Sequence, residues 1–205
     1  MAATRTGTTA TTGAAAEAEF SSAAQRERRQ RILDATLTLA SRGGYDAVQM
    51  RAVADRAGVA LGTLYRYFPS KIHLLVSGLA REFERNQEKL DRIPIPGDTP
   101  YERMLFVLGR ITRVMQREPM LTEAMTRAFM FADPSAAAEV NTVARLMEHM
   151  LTSAMHEGVP TGDEIAIARI IGDVWLSSLV AWVTRRASAN DVSSQLELAA
   201  RLLLR

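Results

Sequence analysis

Cysteine is absent from the 205-residue chain. No disulfide, thiolate metal site or cysteine nucleophile can therefore be built. Histidine is nearly absent, and His149 and His156 stand seven apart rather than at the four-residue spacing of a helical metal pair. No metal and no cofactor are expected. Aromatic residues make up 6% of the chain, too few for a single-strand binder that stacks bases. No uninterrupted run of 18 apolar residues occurs, so no membrane span is expected. The first residues, MAATRTGTTATTG, lack the charged-then-apolar layout of a signal peptide, and a cytoplasmic protein is expected. No Ser-His-Asp context, glycine-rich phosphate loop or paired carboxylate stands out, and enzymatic activity is not expected.

What is present is helical and unevenly charged. Hydrophobic residues at 47% suffice for a core, and the length fits one large helical body or a small module joined to a larger one. The formal net charge of +2 hides a split: residues 21–73 carry nine Lys+Arg against four Asp+Glu, and residues 74–205 carry fifteen against seventeen. A basic patch confined to some fifty residues suits a polyanion-binding module, although a solvated charged face has the same composition. Residues 1–20 are small and polar and read as a disordered tail.

From Ser21 apolar residues recur at three and four. Ile32, Leu33, Thr36, Leu37 and Ala40 predict a helix over about 22–42, stopped by Gly43-Gly44. A short helix around Met50–Ala57 ends at Gly58, and Leu61–Phe68 forms another before Pro69. Ser70 can cap a helix over 71–91. Beyond the turn cluster at 93–100, helices are expected over 100–116, 120–131, 135–157, 161–187 and 191–204. No strand period and no repeat interrupts them. The fold class is all-α, divided into a basic head at 21–73 and a larger body at 74–205.

The stretch from Gln49 to Lys71 carries the chemistry. Two short helices meet at Gly58, with Ala54 four residues before it and Leu64 six after. A helix-turn-helix needs a small residue where its helices cross and a left-handed residue in its turn. Leu64 and Phe68 are expected to face inward. Thr63, Arg66 and Tyr67, at i, i+3 and i+4, are expected to face outward together. Arg66 can pair with guanine and Thr63 can offer a hydroxyl and a methyl. Gly62 would let backbone approach bases, Leu61 opens the helix, and Tyr65 and Tyr67 can reach phosphates. Lys71, Arg51 and Gln49 complete the candidate DNA surface. Arg26, Arg28, Arg29 and Arg31 can neutralise phosphates. Each of these groups has a plain structural alternative, as scaffold or solvated face.

The run ADRAGVALGTLYRYFPSK (54–71) resembles the signature of the TetR family of transcriptional regulators. That resemblance implies a three-helix DNA-binding head before a helical body that binds a small effector and dimerises. Two departures affect phosphate contacts: Ala60 stands where the family often has Ser, and Gln49 stands near a position that often holds Thr or Ser. The blocks PMLTEAMTRAFMFAD (119–133) and IGDVWLSSLVAWVTRRASANDVS (171–193) further resemble the actinobacterial sterol-catabolism repressors of that family. The implied partners are a double-stranded, palindromic operator, a second copy of the chain and an apolar effector, a steroid-derived CoA thioester.

The body's own residues fit a pocket. Leu121, Met125 and Phe129 form one stripe, and Trp175, Leu179 and Trp182 another. With Met104, Leu108, Met115 and Met147 they could line an apolar cavity, though stripes of this spacing are usually plain core. Arg110, Arg113, Arg117 and Arg127 are candidate cations at its mouth. Ser177, Ser178 and Ala181, together with Leu196, Ala199, Ala200 and Leu203, suit helix pairing between two copies. A regulator of drug efflux or other lipid metabolism, or an intracellular carrier of apolar ligands, remain alternatives.

Overall fold

The computed structural model describes residues 9–204, with side chains from residue 22. Among these the chain is entirely helical: α1 (Thr9–Ala47), α2 (Met50–Ala57), α3 (Leu61–Tyr67), α4 (Lys71–Leu90), α5 (Pro100–Arg117), α6 (Pro119–Met130), a 3-10 turn (Pro134–Ala136), α7 (Ala137–Met155), α8 (Gly162–Val183) and α9 (Ala189–Leu204). The expected tail over 1–20 lies outside the described residues up to position 8. From Thr9 the backbone is already in α1, ahead of the start expected near 22. Alanines 14, 15, 16 and 18 explain the extension, since good helix formers prolong a helix whose nucleus already exists.

Helix ends follow local chemistry. Gly43 and Gly44 leave helical geometry and kink α1, with Gly44 at φ 66°, ψ −158°. Ser70 caps α4 by accepting the His73 N–H. Thr99 with Glu102, and Thr161 with Glu164, form reciprocal capping boxes at α5 and α8. The boxes hold both glutamates below the usual carboxylate range: Glu102 accepts the Thr99 and Asp98 N–H groups, and Glu164 accepts the Thr161 N–H and hydroxyl.

Head and body share one buried cluster, from Ile32 and Leu33 through Leu64, Phe68, Leu74 and Met104 to Trp175 and Ala200. α8 has an 18-residue window with a mean hydropathy of 1.5. Its Ala168, Ile171, Gly172, Trp175 and Leu179 are buried in the bundle, and Arg169 and Asp173 break its apolar run. Other apolar side chains of α8 and α9 face outward: Ile170, Leu198 and Leu202 are exposed. This corrects the pairing surface expected on α9. Leu196 and Ala200 are buried within their own chain, where α9 packs on α5 and α8.

Candidate DNA-binding head and effector cavity

The turn between α2 and α3 is built as its sequence requires. Gly58 adopts φ 65°, ψ 41°, and the Val59 N–H closes the turn on the Ala54 carbonyl at 3.0 Å. Ala54 is buried at the crossing, and Val53, Leu64 and Phe68 are buried beside it. Neither Gln49 nor Ala60 makes a side-chain cap, as the departures at those positions imply. Arg29 lies over the Phe68 ring at 5.3 Å and so braces α1 against the end of α3.

The exposed face of α3 is centred on Gly62, Tyr65 and Arg66. Thr63 and Tyr67 are half-buried, so the outward set is rotated one position from the expected Thr63, Arg66 and Tyr67. The cause is packing: Tyr67 and Leu61 lie against the core, and the Tyr67 ring tilts onto Phe68 at 6.4 Å. Gln49, the N-cap of α2, and Arg51, in its first turn, are exposed. Around Gly62 no atom lies within 4 Å of where a Cβ would sit, so its backbone is open to a close ligand. Lys71 is half-buried, its Nζ 3.8 Å from the centre of the Tyr45 ring. Burial lowers the pKa of its ammonium, with Asp46 acting in the opposite sense. A contact from Lys71 to phosphate therefore competes with Tyr45.

The body holds a partly open cavity of about 270 Å³ lined by α4 to α8. Met115, Leu121, Met125, Phe129, Met147, Trp175 and Leu179 line it, as expected from their stripes. Met104 and Leu108 do not: they are buried in the core, which the period of α5 could not separate from a cavity wall. Trp182 is half-buried, packs against the core and also lies outside the wall. Leu79, Phe83 and Asn86 of α4 do line it, and their i, i+4, i+7 spacing was a readable signal. A groove between α7 and α8 adjoins the cavity, sharing Met147 and Asp173 and carrying Arg145 and Arg169. None of Arg110, Arg113, Arg117 or Arg127 lines the cavity. Arg127 instead reaches the head, 4.4 Å from the Tyr45 ring and 3.6 Å from the Asp46 carboxylate.

Two helices of the cavity wall also hold the head. On α6, Leu121, Met125 and Phe129 face the cavity, while Glu123 accepts the Tyr45 N–H at 2.9 Å. On α4, Phe83 and Asn86 face the cavity, while the buried Arg81 grips α1. Its guanidinium pairs with Asp34 at 2.9 Å and donates to the Gln30 side-chain oxygen at 2.9 Å. Further down α4, His73 bonds Ser70 Oγ at 2.9 Å and the Ser135 carbonyl at 3.0 Å, tying the head to the segment before α7. Two of the helices that wall the cavity, α4 and α6, thus contact α1.

Known proteins match this arrangement along most of the chain. Residues 32–77 match the bacterial regulatory proteins of the tetR family, and residues 97–203 match the tetracyclin repressor-like C-terminal domain. The chain is 65% identical over 188 residues to the HTH-type transcriptional repressor KstR of Mycolicibacterium smegmatis, covering 92% of each chain. A crystal structure of a TetR transcriptional regulator from a Rhodococcus species is similar, with a TM-score of 0.81 and 33% identity, over 88% of this chain and 97% of that one. Thermus thermophilus FadR, solved in complex with lauroyl-CoA, shares the fold at a TM-score of 0.64 and 21% identity, over 85% of this chain and 92% of that one. The chain belongs to the TetR family of helix-turn-helix transcriptional regulators.

Proposed function

We propose that this protein is a ligand-gated repressor of sterol-degradation genes, working in the cytoplasm as a dimer on a palindromic operator. The observation that carries this reading is the 65% identity to a KstR repressor, which extends across the body as well as the head. Residues 21–73 form the reading head and residues 74–205 the effector and dimer unit. Gly62, Tyr65 and Arg66 face the major groove, with Gln49, Arg51, Leu61, Thr63, Tyr67 and Lys71 at its edges. Arg26 and Arg31, both exposed on α1, neutralise phosphates.

Two copies pair through α8 and α9, burying Ile170, Leu198 and Leu202 and setting two heads about 34 Å apart. The effector is a steroid-derived CoA thioester. Its apolar part fills the cavity, and its polar part leaves by the groove of Arg145 and Arg169. FadR of Thermus thermophilus, bound to lauroyl-CoA, gives an acyl-CoA precedent on the same fold.

Gating follows from the shared helices. α4 has 20 residues and spans about 30 Å. A tilt of about 6° moves its far end by about 3 Å, enough to spoil groove register. The ligand releases DNA only to the extent that it binds the DNA-incompetent arrangement better. A hundredfold loss of operator affinity needs about 2.7 kcal/mol of that difference.

The test is a gel shift on the protein's own upstream DNA, with and without a 3-oxo-steroid acyl-CoA. Specific binding abolished by the thioester is expected. Binding that ignores DNA sequence would favour a carrier, and release by cationic drugs alone would favour an efflux regulator.

A further inference from the structure

We propose that the hydroxyl of Thr126 is the polar contact point at the floor of the effector cavity, and that it selects ligands whose buried end carries an uncharged oxygen. This rests on the effector-site reading above and adds the chemistry that the cavity favours. Thr126 lies on α6 with Thr122, Met125 and Phe129, and all four line the cavity. Their spacing is that of one helix face, so the Thr126 side chain points the way these neighbours do.

Thr126 is 5% exposed, and its hydroxyl has no hydrogen-bond partner among the described residues. A threonine inside a helix commonly donates its proton to the carbonyl four residues back, as Thr36, Thr142 and Thr152 do here. Thr126 makes no such bond. Nor is its oxygen sealed in: the fully enclosed polar side-chain atoms without a partner belong to Arg81, Gln87, Thr112 and Trp175. The Thr126 Oγ1 therefore keeps accessible surface on the face that walls the cavity.

Burial orders the polar groups of the wall by depth. Glu118 and Asp173 are exposed, Glu82 and Asn86 are half-buried, and Thr122 and Thr126 are buried. Thr122 already donates to the Met115 carbonyl at 2.9 Å, and the Trp175 Nε1 is closed off from any occupant. Thr126 is thus the deep wall residue with an unused proton that an occupant can reach, and buried polar groups of this kind normally find a partner. That partner is uncharged. Glu82 pairs with Arg85 at 3.0 Å, and no Lys or Arg lines the cavity among the described residues. A ligand carboxylate at the floor would lose its hydration with no cation to replace it, whereas a ketone oxygen accepts the hydroxyl proton without that penalty.

The experiment measures ketone and hydrocarbon probes on the full chain and on Thr126→Val, which keeps the side-chain shape and removes the hydroxyl. One pair is the CoA thioester of 3-oxochol-4-en-24-oic acid and that of chol-4-en-24-oic acid. A second pair, 9-fluorenone and fluorene, is independent of the steroid reading. The unsubstituted protein should prefer the ketone by about fivefold, the net strength of one uncharged hydrogen bond. Thr126→Val should erase that preference while holding the hydrocarbons as before, and Thr126→Ser should keep it. Without ligand, Thr126→Val should melt no lower than the parent, because no protein group loses a partner.

Equal affinities within both pairs, a preference that survives Thr126→Val, or one that Thr126→Ser also abolishes would overturn the assignment. So would a lower melt of unliganded Thr126→Val, which would show the hydroxyl already engaged within the chain. Failure of both steroid thioesters to bind, with a fluorenone preference that Thr126→Val erases, would instead overturn the steroid effector and leave the Thr126 contact standing.

Discussion

Gly62→Ala separates folding from DNA reading in a single methyl group. Gly62 is the second residue of α3, exposed, with no atom within 4 Å of a built Cβ. Alanine there relieves the entropy that glycine loses on folding and adds no clash within the chain. The gain in an exposed first turn is about 0.5 kcal/mol, toward the lower end of the Gly-to-Ala range. For a chain of this size that raises Tm by roughly 1–2 °C. The same methyl stands on the face proposed to meet the major groove, beside Tyr65 and Arg66. If backbone approaches a base or phosphate there, operator affinity should fall at least about tenfold, or about 1.4 kcal/mol. Thermal melts of both proteins give the first quantity, and operator titration at one fixed salt concentration gives the second. A variant that melts higher yet binds the operator as tightly as before would refute the close approach of α3, and with it the placing of Gly62 on the DNA face.

Other expectations follow from the same geometry. Arg66→Ala should cost about 1–3 kcal/mol of operator affinity and relax preference at one base pair, checked by binding to a panel of single-substitution operators; a uniform loss across the panel would assign Arg66 to phosphate instead. Gly44→Ala forces a backbone shape at φ 66° that side chains rarely adopt and puts a methyl 2.8 Å from the Glu123 carboxylate that accepts Tyr45 N–H. Strain of this kind is worth about 1–3 kcal/mol, so denaturant melts should show a loss of that order, and an unchanged midpoint would contradict the tight junction. Glu102→Gln and Glu164→Gln should blunt acid unfolding. The folded pKa of each is depressed, so the stability it contributes is present above the ordinary glutamate range and lost as pH falls through the lower folded value. Melts from pH 7 to pH 3 should show the variants and the parent converging at the acid end.

The helices, their order and the DNA-binding motif follow from local signals in the chain. Gly58 in its turn, Ala54 at the crossing and the Ser70 cap act over a few residues, and short-range sterics and hydrogen bonding decide them. What faces what was decided only on packing. The outward face of α3 moved from Thr63, Arg66 and Tyr67 to Gly62, Tyr65 and Arg66 because Tyr67 leans on Phe68. Met104 and Leu108 share the periodicity of Met115 yet lie in solid core, and a stripe reads the same whether a neighbouring helix or a cavity lies opposite. Leu196 and Ala200 were spent inside the chain, leaving Leu198 and Leu202 outside. Arg127 turned to Tyr45 and Asp46, and Arg81 joined α4 to α1 across 47 residues of sequence from Asp34. Such pairings depend on distances between elements far apart in the chain, which periodicity does not encode and the folded bundle alone sets.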